Sequence, residues 1–186
     1  MRFAPLALNL AIAGALVLAG AFPATAQILN GTFDNGLTGW TVTTTGGCSA
    51  TVSTNGNPAP GARLWNNDAG SATLTQTFNC GGGSDGSCSL SLDYATDTLV
   101  GSKMVVTVTL DNVVMYSANH NGGVTAYTPV QFSVPCGQHT LGISAASTST
   151  SPFSVWMMFV DNVTASCVPP VSTEGSTWSS LKATYR

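Results

Sequence analysis

Trp65 stands in "ARLWNNDAG", followed at once by Asn66, Asn67 and Asp68. A flat indole beside two amides and a carboxylate is a set suited to saccharides, because the ring stacks on a sugar face while the polar groups bond its hydroxyls. Tyr116 and Tyr127 bracket the loop "SANHNGGVTA" and offer two further rings with polar ends. The same residues also read as a packed strand residue followed by a turn, so the local pattern leaves both possibilities open. Bond-breaking chemistry finds less support. Glycoside hydrolysis requires two carboxyl groups facing each other across the scissile bond. The acids are only Asp34, Asp68, Asp85, Asp93, Asp97, Asp111, Asp161 and Glu174, and several stand in turn-like contexts. Asp93 and Asp97 form a conceivable pair that no spacing favours. His120 and His139 lie far apart, neither beside a recognisable nucleophile, and no G-x-S-x-G, HExxH or phosphate loop occurs. The expectation is a binding protein and not an enzyme.

Charged residues make up 7% of the 186-residue chain, and the net charge is −3. That balance supplies no electrostatic footprint for nucleic acid and no basic patch for anionic lipid. Solubility rests on Ser, Thr, Asn and Gly. The first 26 residues carry Arg2, the apolar run "LALNLAIAGALVLAGAF" and the small-residue site "ATA" before Gln27. This is the pattern of a secretory signal peptide cleaved after Ala26. The expected setting is extracellular, on the bacterial cell exterior or in the periplasm, with no membrane segment after cleavage.

Export makes disulfides the default state of the five cysteines, 48, 80, 88, 136 and 167. Cys80 with Cys88, closing "CGGGSDGSC", and Cys136 with Cys167, each following a strand, are the expected pairs. Cys48 is then the odd thiol. No Cys or His spacing suggests zinc.

Short β-rich runs separated by turn residues extend from "WTVTTT" to "SVWMMFVDNVTAS", with no long amphipathic helix. Leu90, Leu92 and Tyr94 alternate with Ser89, Ser91 and Asp93; Val106, Val108 and Leu110 alternate with Val105, Thr107 and Thr109; Val130, Phe132 and Val134 alternate with Gln131 and Ser133. Each strand thus buries one face and presents a short polar one. The implied fold is all-β, an antiparallel jelly-roll β-sandwich over residues 27–167, with outer faces almost free of aromatic residues. Trp156, in a hydrophobic run, is expected in the core. Residues 168–186 read as a Pro/Ser/Thr linker and a short tail, in which Trp178, Leu181 and Tyr185 fit one or two helical turns.

Taken in order, "NGTFDNGLTGW", "ATLTQTF", "CSLSLDYAT", "VTVTLDN", "YTPVQFSVPCGQHTLGIS" and "FVDNV" resemble the galactose-binding-domain-like jelly rolls found among carbohydrate-binding modules of secreted bacterial proteins. The resemblance spans residues 28 to about 166 and is most specific at its opening "NG-x-F-[DE]…GW" and its closing "[VI]-DNV". It implies that the first and last strands meet, and that a structural calcium sits there on the Thr32 carbonyl and the carboxylates of Asp34 and Asp161. Calcium takes six to eight oxygens of both kinds. It also implies that Trp40 is a core residue. Without calcium, Asp34 and Asp161 read as turn-forming acids. Two functions follow. One is a non-catalytic, calcium-stabilised domain whose partner is a glycan or cell-surface polysaccharide. The other is a structural subunit of an extracellular fibre, tube or surface layer. Low charge, an odd cysteine and the tail suit that second function through self-association.

Overall fold

The computed structural model describes residues 27–66, 69–81, 87–147 and 154–168. The expected signal peptide and the tail beyond Val168 lie outside the described residues. Among the described residues there are nine strands and no helix: β1 (Thr41–Thr44), β2 (Ser49–Ser53), β3 (Gly61–Asn66), β4 (Ser71–Cys80), β5 (Ser87–Leu110), β6 (Val113–Val124), β7 (Thr128–Val134), β8 (Gly137–Ser147) and β9 (Trp156–Val168).

The antiparallel pairings resolve into two layers. Layer one runs β2-β3-β9-β5-β7, and layer two runs β1-β4-β8-β5-β6. Strand β5, at 24 residues, serves both. Its first half pairs with β9 and β7 and, at Asp97 and Thr98, with the end of β6; its second half pairs with the rest of β6 from Lys103 and with β8 from Met104. The β5–β6 register shifts between Thr98 and Lys103, where Gly101 adopts φ +87°. A strand this long exceeds the usual length, and an irregularity of this kind bends it from one layer to the other.

The alternation read from the sequence sets the inner faces. Leu90, Leu92 and Tyr94 of layer one and Val106, Val108 and Leu110 of layer two are buried. They pack with Leu64, Trp156 and Met158 on one side and Leu74, Leu141 and Ile143 on the other. Val130 and Val134 are buried too, with Phe132 packed against the same cluster. Each such side chain contributes about 1.5–3 kcal/mol by leaving water.

The opening segment folds into a compact turn organised by Asn30. Its side-chain amide donates to the carbonyls of Gly36 and Thr38, and its Oδ1 accepts the Asn35 N–H. Trp40 Nε1 donates to the Asn30 carbonyl, and the buried Phe33 and Trp40 rings stack at 5.5 Å. Gln76, pointing inward from β4, bonds both the N–H and the carbonyl of Leu29 and the carbonyl of Gly39. Val163 of β9 donates to the Gly31 carbonyl at 3.0 Å, so the two ends of the domain touch. A Cβ on Gly31 would lie 1.9 Å from the Val163 carbonyl oxygen. Gly31→Ala is therefore expected to push the turn off β9 and cost about 1–3 kcal/mol, read as a lowered denaturation midpoint.

The cysteine pairing differs from expectation. Cys88 is bonded to Cys167, its register partner across β5 and β9. Neither Cys80–Cys88 nor Cys136–Cys167 can therefore form. Sequence nearness favoured the short "CGGGSDGSC" loop, but the sheet places Cys88 beside the last strand.

Candidate functional site

The outer face of layer one carries the densest set of unusual side chains. In β3, Ala62, Leu64 and Asn66 face the core, and in β9 Trp156, Met158 and Val160 do the same, so Arg63, Trp65, Met157, Phe159 and Asp161 face outward. The registers align these residues in rows. One row runs Ser49, Trp65, Met157, Asp97, and the next runs Thr51, Arg63, Phe159, Ala95. Asp161, Asp93 and Pro129 make a third.

Phe159 and Ala95 are buried although they face outward, which gives the surface an apolar floor. Trp65 stands half-buried beside them. The Arg63 guanidinium lies 5.8 Å from the centre of its ring and reaches Thr51 Oγ1 at 3.3 Å. Cation and ring hold each other in place. Arg63 Nε and Trp65 Nε1 are shut off from water without a hydrogen-bond acceptor among the described residues. Two such donors carry a desolvation penalty, and their atoms are as closed to a ligand oxygen as to water.

The β2–β3 loop crosses this face like a strap over the third row. Asn57 donates its backbone N–H to Asp161 Oδ2, and its side-chain amide reaches Asp93 Oδ2 at 3.4 Å. Asn162 donates to Asp93 Oδ2 at 3.0 Å and to the Asn57 carbonyl, and Tyr127 donates its hydroxyl to the Asn55 carbonyl. Asn162 sits at φ +53° where the β5–β9 register slips, which turns its amide toward the strap. The strap admits only glycine at position 56, because a Cβ there would lie 2.4 Å from the Pro60 backbone.

Negative charge gathers under the strap. Burial raises the Asp161 carboxyl above the ordinary carboxylate range. The amides of Asn57 and Asn162 oppose that shift, and the carboxylates of Asp93 and Asp34 reinforce it. Burial, with the charges of Asp161 and Asp93, pushes the Tyr127 hydroxyl up to about 12. Asp34 itself is exposed and accepts the Thr32 hydroxyl at 2.6 Å. Asp161 and Asp34 thus come from opposite ends of the chain into one electrostatic neighbourhood that lacks a positive side chain in these contacts. Each Asp161 oxygen accepts one backbone amide, Oδ2 from Asn57 and Oδ1 from Asn162.

The other residues singled out from sequence are dispersed. Asn66 faces the core, and Asn67 and Asp68 lie outside the described residues. Tyr127 flanks the strap, on the same side of the sandwich as Trp65. Tyr116 does not join them: it is on the inner side of β6, with its hydroxyl 2.7 Å from that of Tyr94. His120 is 3.3 Å from both Tyr94 and Thr96, and burial lowers its pKa. Burial also raises the Tyr94 hydroxyl, with Tyr116 adding to the shift. This cluster fills the edge of the sandwich interior. Trp156 is fully buried, as expected. Outer faces free of aromatic residues are not what the structure has. "WMMFV" is apolar at successive positions, so period-two alternation could not show that Phe159 faces outward. Arg63 could have been found, since it shares its strand face with Trp65.

The outer face of layer two is different in kind. Thr43, Thr73, Ser144, Thr107 and Ser117 form one row across five strands, all hydroxyls.

No family model and no curated protein matches this chain. Among solved structures it is similar to TmCBM61 in complex with β-1,4-galactotriose, at 15% identity and a TM-score of 0.50, over 76% of this chain and 96% of that one. It is equally similar to the enzymatically active domain of tailspike protein 4 from bacteriophage CBA120, at 16% identity and a TM-score of 0.50, over 76% of this chain but only 21% of the tailspike. The fold is the jelly roll of carbohydrate-binding modules. Within that jelly roll, Cys88–Cys167 is the disulfide, and no helix among the described residues is long and apolar enough to cross a membrane.

Proposed function

We propose that this protein is a secreted, non-catalytic carbohydrate-binding domain whose ligand lies on the outer face of layer one. The observation that carries the reading is the Trp65–Arg63 pair on an apolar floor of Met157, Phe159 and Ala95, with the Asp97 carboxylate in the same row. A pyranose laid on the indole would stack on its face, while Asp97 accepts from its hydroxyls. The strap and Tyr127 would bound the site on the Asp93 side. Calcium on Asp34 and Asp161, with the Thr32 carbonyl among its neutral ligands, would cancel the charge beneath the strap and hold that boundary rigid. Its part is structural and leaves ligand contact to the side chains of the face.

Native gel electrophoresis through embedded polysaccharide tests this directly. β-1,4-Galactan is the first choice because TmCBM61 binds galactotriose, followed by xylan and a mixed-linkage glucan. Retardation by one of them is expected, and unchanged mobility in all three would remove the sugar reading.

One observation favours the alternative, a subunit that self-associates. The edge strand β6 exposes Val113, Val114, Met115 and Val124, an apolar set on an unpaired sheet edge. Large particles in sedimentation velocity, dispersed by placing lysine at 113 and 124, would support it.

A further inference from the structure

Four of the five cysteines gather at one pole of the sandwich. Cys80 ends β4 in layer two, Cys88 opens β5 in layer one, and Cys167 lies near the end of β9. Cys136 occupies the two-residue corner between β7 and β8. The registers bring these segments together: Cys88 is opposite both Cys167 and Val134, and Cys80 is opposite Gly137, the residue after Cys136. The sulfur atoms of Cys80, Cys88 and Cys167 all lie within 4.8 Å of one another. The corner itself is pinned. His139 bonds the Pro135 carbonyl through Nε2 at 2.9 Å and Asp111 Oδ2 through Nδ1 at 2.7 Å, while its ring packs 6.0 Å from Phe78.

We propose that Cys80 and Cys136 form a second disulfide, which ties the end of β4 to the β7–β8 corner alongside Cys88–Cys167. The step is ordinary exchange with a disulfide oxidant such as oxidised glutathione. One thiolate attacks the oxidant, its S–S bond breaks, and a mixed disulfide forms with release of one glutathione thiol. The second protein thiolate then displaces the other glutathione, so two protein thiols are oxidised and one oxidant is reduced to two thiols.

The neighbourhood gives this bond a purpose. Left as a thiol, Cys80 would sit against the Cys88–Cys167 bond as a resident nucleophile able to exchange with either sulfur. Burial, with the nearby Cys136, pushes the Cys80 thiol up, which slows that attack near neutral pH and leaves it open at alkaline pH. Bonding Cys80 to Cys136 removes the attacker. This holds whether or not the face of layer one binds sugar.

Peptide mapping of the full chain, refolded with glutathione and alkylated under denaturing conditions, tests it. Trypsin cannot separate the partners, because no Lys or Arg falls between Cys80 and Cys88 or between Cys136 and Cys167. Cleavage before aspartate does separate them, at Asp85, Asp111 and Asp161. Cross-linked peptides joining 80 to 136 and 88 to 167 are expected. Alkylated Cys80 or Cys136, or a link from Cys80 to Cys88 or Cys167, would overturn the proposal. In Cys136→Ser, links from Cys80 to Cys88 or Cys167 should accumulate at alkaline pH. Stable Cys88–Cys167 with Cys80 inert there would show that the sulfurs are not within attacking distance, and the proposal would fall with its geometry.

Discussion

Trp65→Ala is expected to lose retardation in the polysaccharide gel that slows the parent protein. The indole supplies a stacking surface, worth about 0.5–1.5 kcal/mol beyond its area by analogy with aromatic pairs. About 1 kcal/mol corresponds to roughly a fivefold rise in Kd. The ring is half-buried on an outer face, so the melting temperature should change far less than for truncation of Trp156 in the core. Arg63→Ala should follow the same direction, because it frees the ring from the cation that holds it. Tyr116→Phe removes only a hydroxyl bonded to Tyr94 inside the sandwich and should bind as the parent does. Equal loss in Tyr116→Phe, or full binding by Trp65→Ala, would move the site off this face.

The second large effect concerns Asp161. Its carboxyl pKa is raised in the folded state, so without a cation its protonated form favours folding. Stability from this group is fully present below the unfolded carboxyl pKa and is lost as pH rises through the folded value. In chelator, the melting temperature should therefore rise as the solution is acidified from neutral into the mildly acidic range. Calcium held at this carboxylate, as proposed, would compete with that proton. At neutral pH a calcium concentration a hundredfold above Kd adds about 2.7 kcal/mol, or a melting shift of several degrees. Asp161→Asn should abolish both the calcium shift and the acid-side rise in chelator. A parent protein whose melting curve ignores calcium and chelator alike would leave the acids beneath the strap without a metal.

Acid should eventually unfold the domain through a different group. The hydrogen bond from His139, with the Thr140 amide, holds the Asp111 carboxyl below the usual range, and both bonds fix the β5–β6 turn to β8. Stability from this carboxylate is present above its unfolded pKa and lost as pH falls through the folded value. The melting temperature in chelator should consequently pass through a maximum in mild acid.

Much of the architecture was legible in the chain. Alternation along "SLSLDY", "VVTVTL" and "VQFSV" assigned the inner faces, because side chains on a strand point to opposite sides at every step. "NGTFDNGLTGW" announced a turn, and in the structure Asn30 ties that turn through its side chain. Trp65 stood out as a ring beside polar neighbours. Arg63, two residues away on the same strand face, was within reach of that pattern, whereas Met157, Phe159, Asp93 and Asp97 are far along the chain and arrive only through strand pairing.

By itself, then, the sequence determined the β class, the inner faces of its strands and the turn at its opening, all of which depend on neighbours a few residues apart. Only the tertiary structure decided that Cys88 meets Cys167 and that Asn66 turns inward while Trp65 turns out. These depend on register between strands distant in sequence. A shift of one residue in register exchanges every face, and no local pattern in β9, apolar on both sides, could choose between them.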